Sequence, residues 1–313
     1  MALETDAFTS YSGIGNRDDL SDVIYMVSPT DTPFLTGVPR GTATAVLHEW
    51  QTDALAAAAT NAVLEGDAAT VDAATATTRL SNTCQISDKV PRVTGTQEAV
   101  VKAGRRSEMA HQILKRAKEL RRDMETDLVG TNNAEVTGDT TTAREFGNIA
   151  AWITTNTSNG STGSDGSGGN TARTDGTQRA FTETLLKTVL RNTWDSGGDP
   201  DCVMVGGFNK QQMSTFTGNA TREVGAEDRK LYASIDIYQS DFGDLEIIPN
   251  RFMRARDALV LQKDMWGIAY LRPVTIEPLA KNGDTETRQI IVEYTLESRN
   301  EAASGAVWDL STS

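Results

Sequence analysis

Only two cysteines, two histidines and a 6% share of aromatic residues occur in this chain of 313. Cys84 and Cys202 lie far apart, and no CxxC or Cys/His pair exists, so the ligand spacing of a zinc site is missing. Buried free thiols are the expected state, with a single disulfide open as the alternative. His48 falls in a predicted strand and His111 on a predicted helix, and neither stands in a pattern that makes a Ser-His-Asp triad. No apolar run approaches the ~20 residues of a membrane span. The opening MALETDAFTS has no basic segment followed by an apolar one, so it does not read as a signal peptide and synthesis in the cytoplasm is expected. Cations are scarce as well: 43 Asp and Glu face 30 Lys and Arg, for a net charge of −13. Gripping phosphate needs clustered cations, so nucleic acid and anionic membranes are poor tight partners.

What is present reads as a soluble α+β chain without βαβ repetition or internal repeats. Residues 1–40 are mostly irregular, with a short helix expected over Arg17–Met26 behind Asn16 as cap. Residues 42–50 alternate as a strand, and 77–87 are β-prone and return beside them. Between them runs an Ala-rich segment, Asp53–Ala76, with a turn at Glu65-Gly66-Asp67. Such an excursion has too little bulk for a core of its own. It must pack on something outside its own domain or stay mobile.

Residues 94–129 predict one helix of roughly 50 Å. Thr94-Gly95-Thr96-Gln97 fits a capping box. Ala99, Ala103, Ala110, Leu114, Ala117, Leu120, Met124 and Leu128 recur on one face. The other face is charged, with Lys115–Glu119 and Arg121–Glu125 spaced as ion pairs. The cations Lys115, Arg116, Lys118, Arg121 and Arg122 are interrupted by acids, so a salt-bridged face is favoured over a DNA contact.

Residues 156–178 are rich in Gly, Ser, Thr and Asn and read as a flexible loop or linker. Beyond them a helix is expected over 181–194, a buried strand over Cys202–Val205 and a helix over Asn209–Phe216. Strands follow at Ile235–Ser240, Leu245–Ile248, Ala258–Leu261, Gly267–Leu271 and Val274–Pro278. In Gln289–Ser298, Ile290, Val292, Tyr294 and Leu296 share one face. Gly206-Gly207 lacks P-loop or GxGxxG spacing and reads as backbone geometry. No constellation makes an enzyme, and no cofactor or metal is implied.

Four stretches carry a resemblance. They are YSGIGNRDDL from Tyr11 with SPTDTPF from Ser28; HEWQTD from His48 with QISDKV from Gln85 and GTQEA from Gly95; TDGTQRAF from Thr174; and EYTLESRNEAASG from Glu293. Their order and spacing resemble the major head proteins of tailed bacteriophages, across nearly the whole chain.

That resemblance implies the Hong Kong 97-type capsid fold. Residues 1–40 would be an N-terminal arm and 41–94 an extended hairpin loop. Residues 95–180 would be a peripheral domain, with its spine helix over 95–129 and the Gly/Ser-rich loop. Residues 181–262 would be the axial domain, and 263–313 a return to the peripheral sheet. It implies a virion shell subunit, a homo-oligomer of hexamers and pentamers in an icosahedral head. The head encloses double-stranded DNA without reading its sequence, and no membrane is involved. Scaffolding, portal and decoration proteins are the further partners it suggests. The candidates for contact between subunits are His48, Trp50, Asp53, Glu65, Asp67, Arg79, Lys115, Arg116, Arg121 and Arg122.

Some shells of this fold are welded by a Lys–Asn isopeptide bond with the lysine on the extended loop. Residues 41–88 hold no lysine and Lys89 sits at the loop's base, so no such bond is expected. No long helical scaffolding segment precedes the arm, which suggests a separate scaffolding protein or a missing pro-segment. Two other readings compete with it: a cellular nanocompartment of the same fold encasing an enzyme, and a hydrolase using His48 or His111.

Overall fold

The computed structural model describes residues 28–68, 71–216 and 236–313. The helix expected over Arg17–Met26 lies outside them. A single-turn helix α1 (Pro33–Gly37) leads into β1 (Arg40–Thr42), and the chain then runs out and back through β2 (Leu47–Thr52) and β3 (Thr78–Thr83). These two pair antiparallel from Leu47↔Thr83 to Thr52↔Thr78, as the alternation predicted. Each predicted strand is nonetheless split. β1 and β4 (Gln85–Lys89) join the main sheet, whereas β2 and β3 form a ribbon of their own.

The long helix is also broken. β5 (Arg92–Thr94) runs into α2 (Gly95–Ala99), where Thr94 accepts the Gln97 N–H at 3.4 Å. The helix proper, α3 (Glu108–Glu125), begins only behind Ser107, whose Oγ accepts the Ala110 N–H at 3.2 Å. Two causes lie between. Val100 and Val101 are β-branched, and Gly104 adopts φ +72°, a left-handed conformation that stops a helix. Glu98 turns back to accept the N–H groups of Glu108 and Met109 at 2.9 and 3.3 Å, folding α2 against the start of α3. Eighteen residues span about 27 Å, and one π-helical turn, Thr126–Gly130, continues the axis. The buried stripe is Met109, Leu120, Met124 and Leu128, while Leu114 is 65% exposed.

After α4 (Ile149–Trp152) and β6 (Thr157–Ser158) come α5 (Glu183–Asp195), β7 (Cys202–Val205) and α6 (Gly207–Met213). Then follow β8 (Ile237–Ser240), β9 (Gly243–Pro249), β10 (Ala258–Leu261), β11 (Trp266–Pro278), β12 (Thr285–Ser298) and β13 (Gly305–Val307). β11 was expected as two strands. It is one, with its register slipping on either side of Arg272, beside Pro273, which has no N–H for the ladder.

The main sheet has the order β1-β11-β12-β4, with β5 on the far end of β12. The second has the order β6-β13-β10-β7-β9-β8. Period-two alternation explains how one core becomes two. Cys202 and Met204 of β7, Leu259 and Leu261 of β10 and Ala306 of β13 join the core shared with the main sheet. That core also holds Ile290, Val292, Tyr294 and Leu296 of β12 and Leu120, Met124 and Leu128. Val203, Val205, Ala258, Val260 and Val307 point the other way, against Leu186, Val189 and Leu190 of α5. Both cysteines are buried and free, and burial pushes the Cys84 thiol up to about 11.

Candidate assembly surfaces

The β2–β3 ribbon is fastened to the body by its few long side chains. The Trp50 indole donates to the Ser298 carbonyl at 2.7 Å and packs 5.5 Å from the Trp152 ring. Asn82, fully buried, donates to the carbonyls of Gly147 and Leu296 and accepts the Gly147 N–H at 2.8 Å. His48 stands 3.5 Å from Glu297, and His48 and Arg299 hold that carboxyl below the usual carboxylate range. Lys89 pairs with Asp123 of α3.

Beyond Thr52 every such contact stops. All described residues of 53–77 are exposed and none lies in a helix or strand. Gly66 makes the tip turn at φ +85°, with the Asp67 N–H on the Leu64 carbonyl at 3.1 Å. Leu55 is 99% exposed, Leu64 80% and Val71 96%. Asp53, Glu65 and Asp67 are exposed, and Arg79 at the root pairs loosely with Glu49 at 3.5 Å.

The helix candidates divide differently. Lys115 is exposed. Arg116 takes Glu119, the acid that spacing had assigned to Lys115. Arg122 lies over the Phe252 ring, 6.0 Å from its centroid. Arg121 does not pair with Glu125 and donates to the hydroxyls of Thr32 and Thr36 at 2.9 Å. Glu125 is buried and accepts the N–H groups of Phe34 and Leu35 at 2.9 and 2.8 Å and the Asn250 amide at 2.6 Å. Burial pushes its carboxyl up against those three donors. This clasp seats the segment around α1 on the end of α3. Spacing missed it, because its partners lie 90 or more residues away.

The Gly/Ser-rich segment 156–178 is folded, contrary to its composition. Its centre is Asp309, which has no exposed side-chain area and sits at φ +60°. Asp309 accepts the N–H groups of Gly160 and Gly176 at 3.0 and 2.9 Å, Arg173 at 2.9 Å and Arg256 at 2.7 Å. Burial pushes its carboxyl up, but Arg173 and the two backbone donors outweigh that and hold it below the ordinary range. Arg173 stacks 4.8 Å from Trp308, and Arg254 grips Asp175 through both carboxylate oxygens. Among the described residues no group of acidic, histidine and cysteine side chains is placed to hold a metal ion, and no helix is long and apolar enough to cross a membrane.

A family model of the SU10 major capsid protein matches residues 5–311. The chain belongs to that family. It is 28% identical to the major capsid protein of Escherichia phage Phieco32, over 96% of both chains. Its fold is similar to that in the Cyanophage A-1(L) capsid asymmetric unit, with a TM-score of 0.69 at 12% identity, covering 98% of this chain and 100% of that one. A solved chain from Microbacterium phage Oxtober96 gives a TM-score of 0.63 at 12% identity, over 94% of this chain and 96% of that one. The α+β Hong Kong 97-type fold and the role of major capsid protein in a tailed-phage virion follow. This family is structural and not enzymatic, which removes the hydrolase reading.

Proposed function

We propose that copies of this chain close into hexamers and pentamers of an icosahedral head around double-stranded DNA, with each copy's loop 53–77 lying on a neighbour. The observation that carries the reading is the contrast at Thr52. A stem held by buried hydrogen bonds presents a segment whose Leu55 and Val71 are almost wholly exposed. Apolar side chains offered to water on a fixed stem gain from burial on another surface, at about 25 cal/mol per Å². Repeating one such head-to-tail contact makes rings, and many weak contacts together hold a shell. In this assignment residues 1–40 are the arm, 41–94 the extended loop, 95–180 the peripheral domain, 181–262 the axial domain and 263–313 the return to the peripheral sheet. The acidic balance of the chain keeps the wall from binding packed DNA tightly.

Electron microscopy of the purified chain tests this. Uniform closed particles are expected, and replacing residues 54–76 by a short Gly-Ser turn should leave a folded subunit that no longer closes. A wild-type chain that stays monomeric with every scaffold and salt condition, or a loopless variant that still closes, would sink the proposal.

A further inference from the structure

Helix α3 does not carry the salt-bridged face that its spacing predicts. Its four acids are all occupied. Glu108 pairs with Arg105, Glu119 with Arg116 and Asp123 with Lys89. Glu125 is buried on the N–H groups of Phe34 and Leu35. Of the five cations in the helix, only Arg116 has taken an acid. Lys115, Lys118, Arg121 and Arg122 form no ion pair with any described carboxylate. At about 100° per residue these four fall within about 120° of the circumference, along about 11 Å of axis. Lys115, Lys118 and Arg121 are exposed. Like charges at three- and four-residue steps repel, and no described acid offsets them.

The patch extends beyond the helix. Arg122 lies over the Phe252 ring, and Arg251, next to that ring in the chain, is exposed and has no ion pair among the described residues. Arg40 and Arg121 line one groove of about 680 Å³, none of whose lining residues is acidic. In a chain of net charge −13 this is a segregated cationic surface. It suits a stiff polyanion of high charge density. Duplex DNA carries one charge per about 1.7 Å of axis, so about six phosphate charges fall within that length of helix. An extended acidic peptide spaces its charges by at least about 3.3 Å, half that density. We infer that the outward face of α3, from Lys115 to Arg122, touches the phosphate backbone of the enclosed double-stranded DNA. The inference rests on the shell reading and assigns the side of the subunit that meets the DNA. Phosphate contacts carry no sequence information. The acidic remainder of the chain keeps the contact weak and salt-dependent.

Salt titration of the purified subunit against a short DNA duplex tests the chemistry. From roughly 50 to 200 mM salt the wild type should lose roughly 100-fold in affinity, as expected for about four neutralised phosphates. Lys115→Gln with Lys118→Gln should lose only roughly 10-fold over the same range and bind more weakly at its low end. Both lysines are exposed and unpaired, so this variant keeps the fold. No binding by the wild type, equal salt dependence in the two proteins, or tighter binding of polyglutamate than of DNA overturns the inference.

Formaldehyde places the contact in assembled heads. It bridges a lysine amine to a base amine through one methylene, with loss of water. Mass spectrometry should find peptides carrying a nucleotide on Lys115 or Lys118 in DNA-filled heads and not in empty ones. Filled heads with adducts only elsewhere, or with none, overturn the inference and leave the shell reading intact. A wild-type chain that closes into no heads fails the shell reading instead, and the inference with it.

Discussion

Two stretches of this capsid protein are poor in large side chains, and they end in opposite states. Residues 53–77 are built of Ala and Thr and their described residues stay bare, whereas 156–178, built of Gly, Ser and Thr, fold into the body. Glycine alone does not explain the difference, since the bare loop turns on a glycine too. What separates them is a buried acceptor. The carboxylate of Asp309 satisfies two backbone N–H groups of the second stretch and binds its Arg173. Among the described residues the first stretch has its own short turns and, at its base, the Thr77 hydroxyl on Gln51, but no buried acceptor. Composition sets how costly a segment is to order. Whether it orders depends on a partner elsewhere in the chain.

The most damaging way to break this contrast is Asp309→Ala. It leaves the Arg173 guanidinium buried without its main partner, a loss of about 3–5 kcal/mol for a buried pair of this kind. Hydrogen exchange should rise across 156–178 and stay unchanged in the already open 53–77. Denaturant midpoints of the isolated subunit, with exchange mapped by mass spectrometry, check both parts. Unaltered protection of 156–178 would show that its order has another source.

The sequence made legible what depends on periodicity. Strands Cys202–Val205 and Ala258–Leu261 come out with the boundaries expected of them, and the inward set Ile290, Val292, Tyr294 and Leu296 is fully buried. α5 is framed by Thr182 and by Gly197 at φ +86°. Contacts between distant residues were not legible. Glu125 reads as an ordinary helix-surface acid, because Phe34, Leu35 and Asn250 are invisible from its neighbours. Asp309 reads as a polar residue near the C-terminus, because nothing local marks the left-handed φ that aims it inward. Helix continuity from 94 to 129 does not hold, because an amphipathic pattern on either side of Gly104 hides the break between Ala99 and Glu108. Of the contact candidates, Asp53, Glu65 and Asp67 stand free to meet a neighbour, while Trp50, Arg116 and Arg122 make contacts within their own chain.

A second prediction sharpens the contrast through pH. Asp257 is 2% exposed and belongs to the same charged group, facing Arg254, Arg173, Arg256 and Asp175. Burial pushes its carboxyl up to about 7, against the pull of the three arginines. The folded chain therefore keeps a proton that the unfolded chain has released above an ordinary value of 3.8. Folding stability from this group is fully present below that value and is lost as pH rises toward 7. Asp257→Asn should remove the slope and gain about 2–4 kcal/mol relative to wild type at pH 8. Urea midpoints measured at pH 5 and pH 8 for both proteins test it. Equal pH dependence in the two would place the proton elsewhere.

The smallest effects come from two glycines that separate the stretches directly. A Cβ on Gly160 would stand 2.3 Å from the Thr177 carbonyl and 2.7 Å from the Asp309 side chain, so Gly160→Ala must push the segment off its acceptor. The expected cost is about 1–3 kcal/mol, the range for overpacking a filled interior. Gly66→Ala meets no atom, but its φ of +85° disfavours a side chain, so it strains only the tip turn. Because that turn is coupled to nothing in the core, the subunit's unfolding midpoint should move by less than about 0.5 kcal/mol. If the tip instead seats on a second copy, the same substitution slows assembly while leaving the isolated subunit as stable as before. Thermal melts of the monomer and light-scattering traces of assembly, taken on both variants, separate the two roles. A Gly66→Ala subunit that melts like Gly160→Ala would mean that the loop is part of its own body after all.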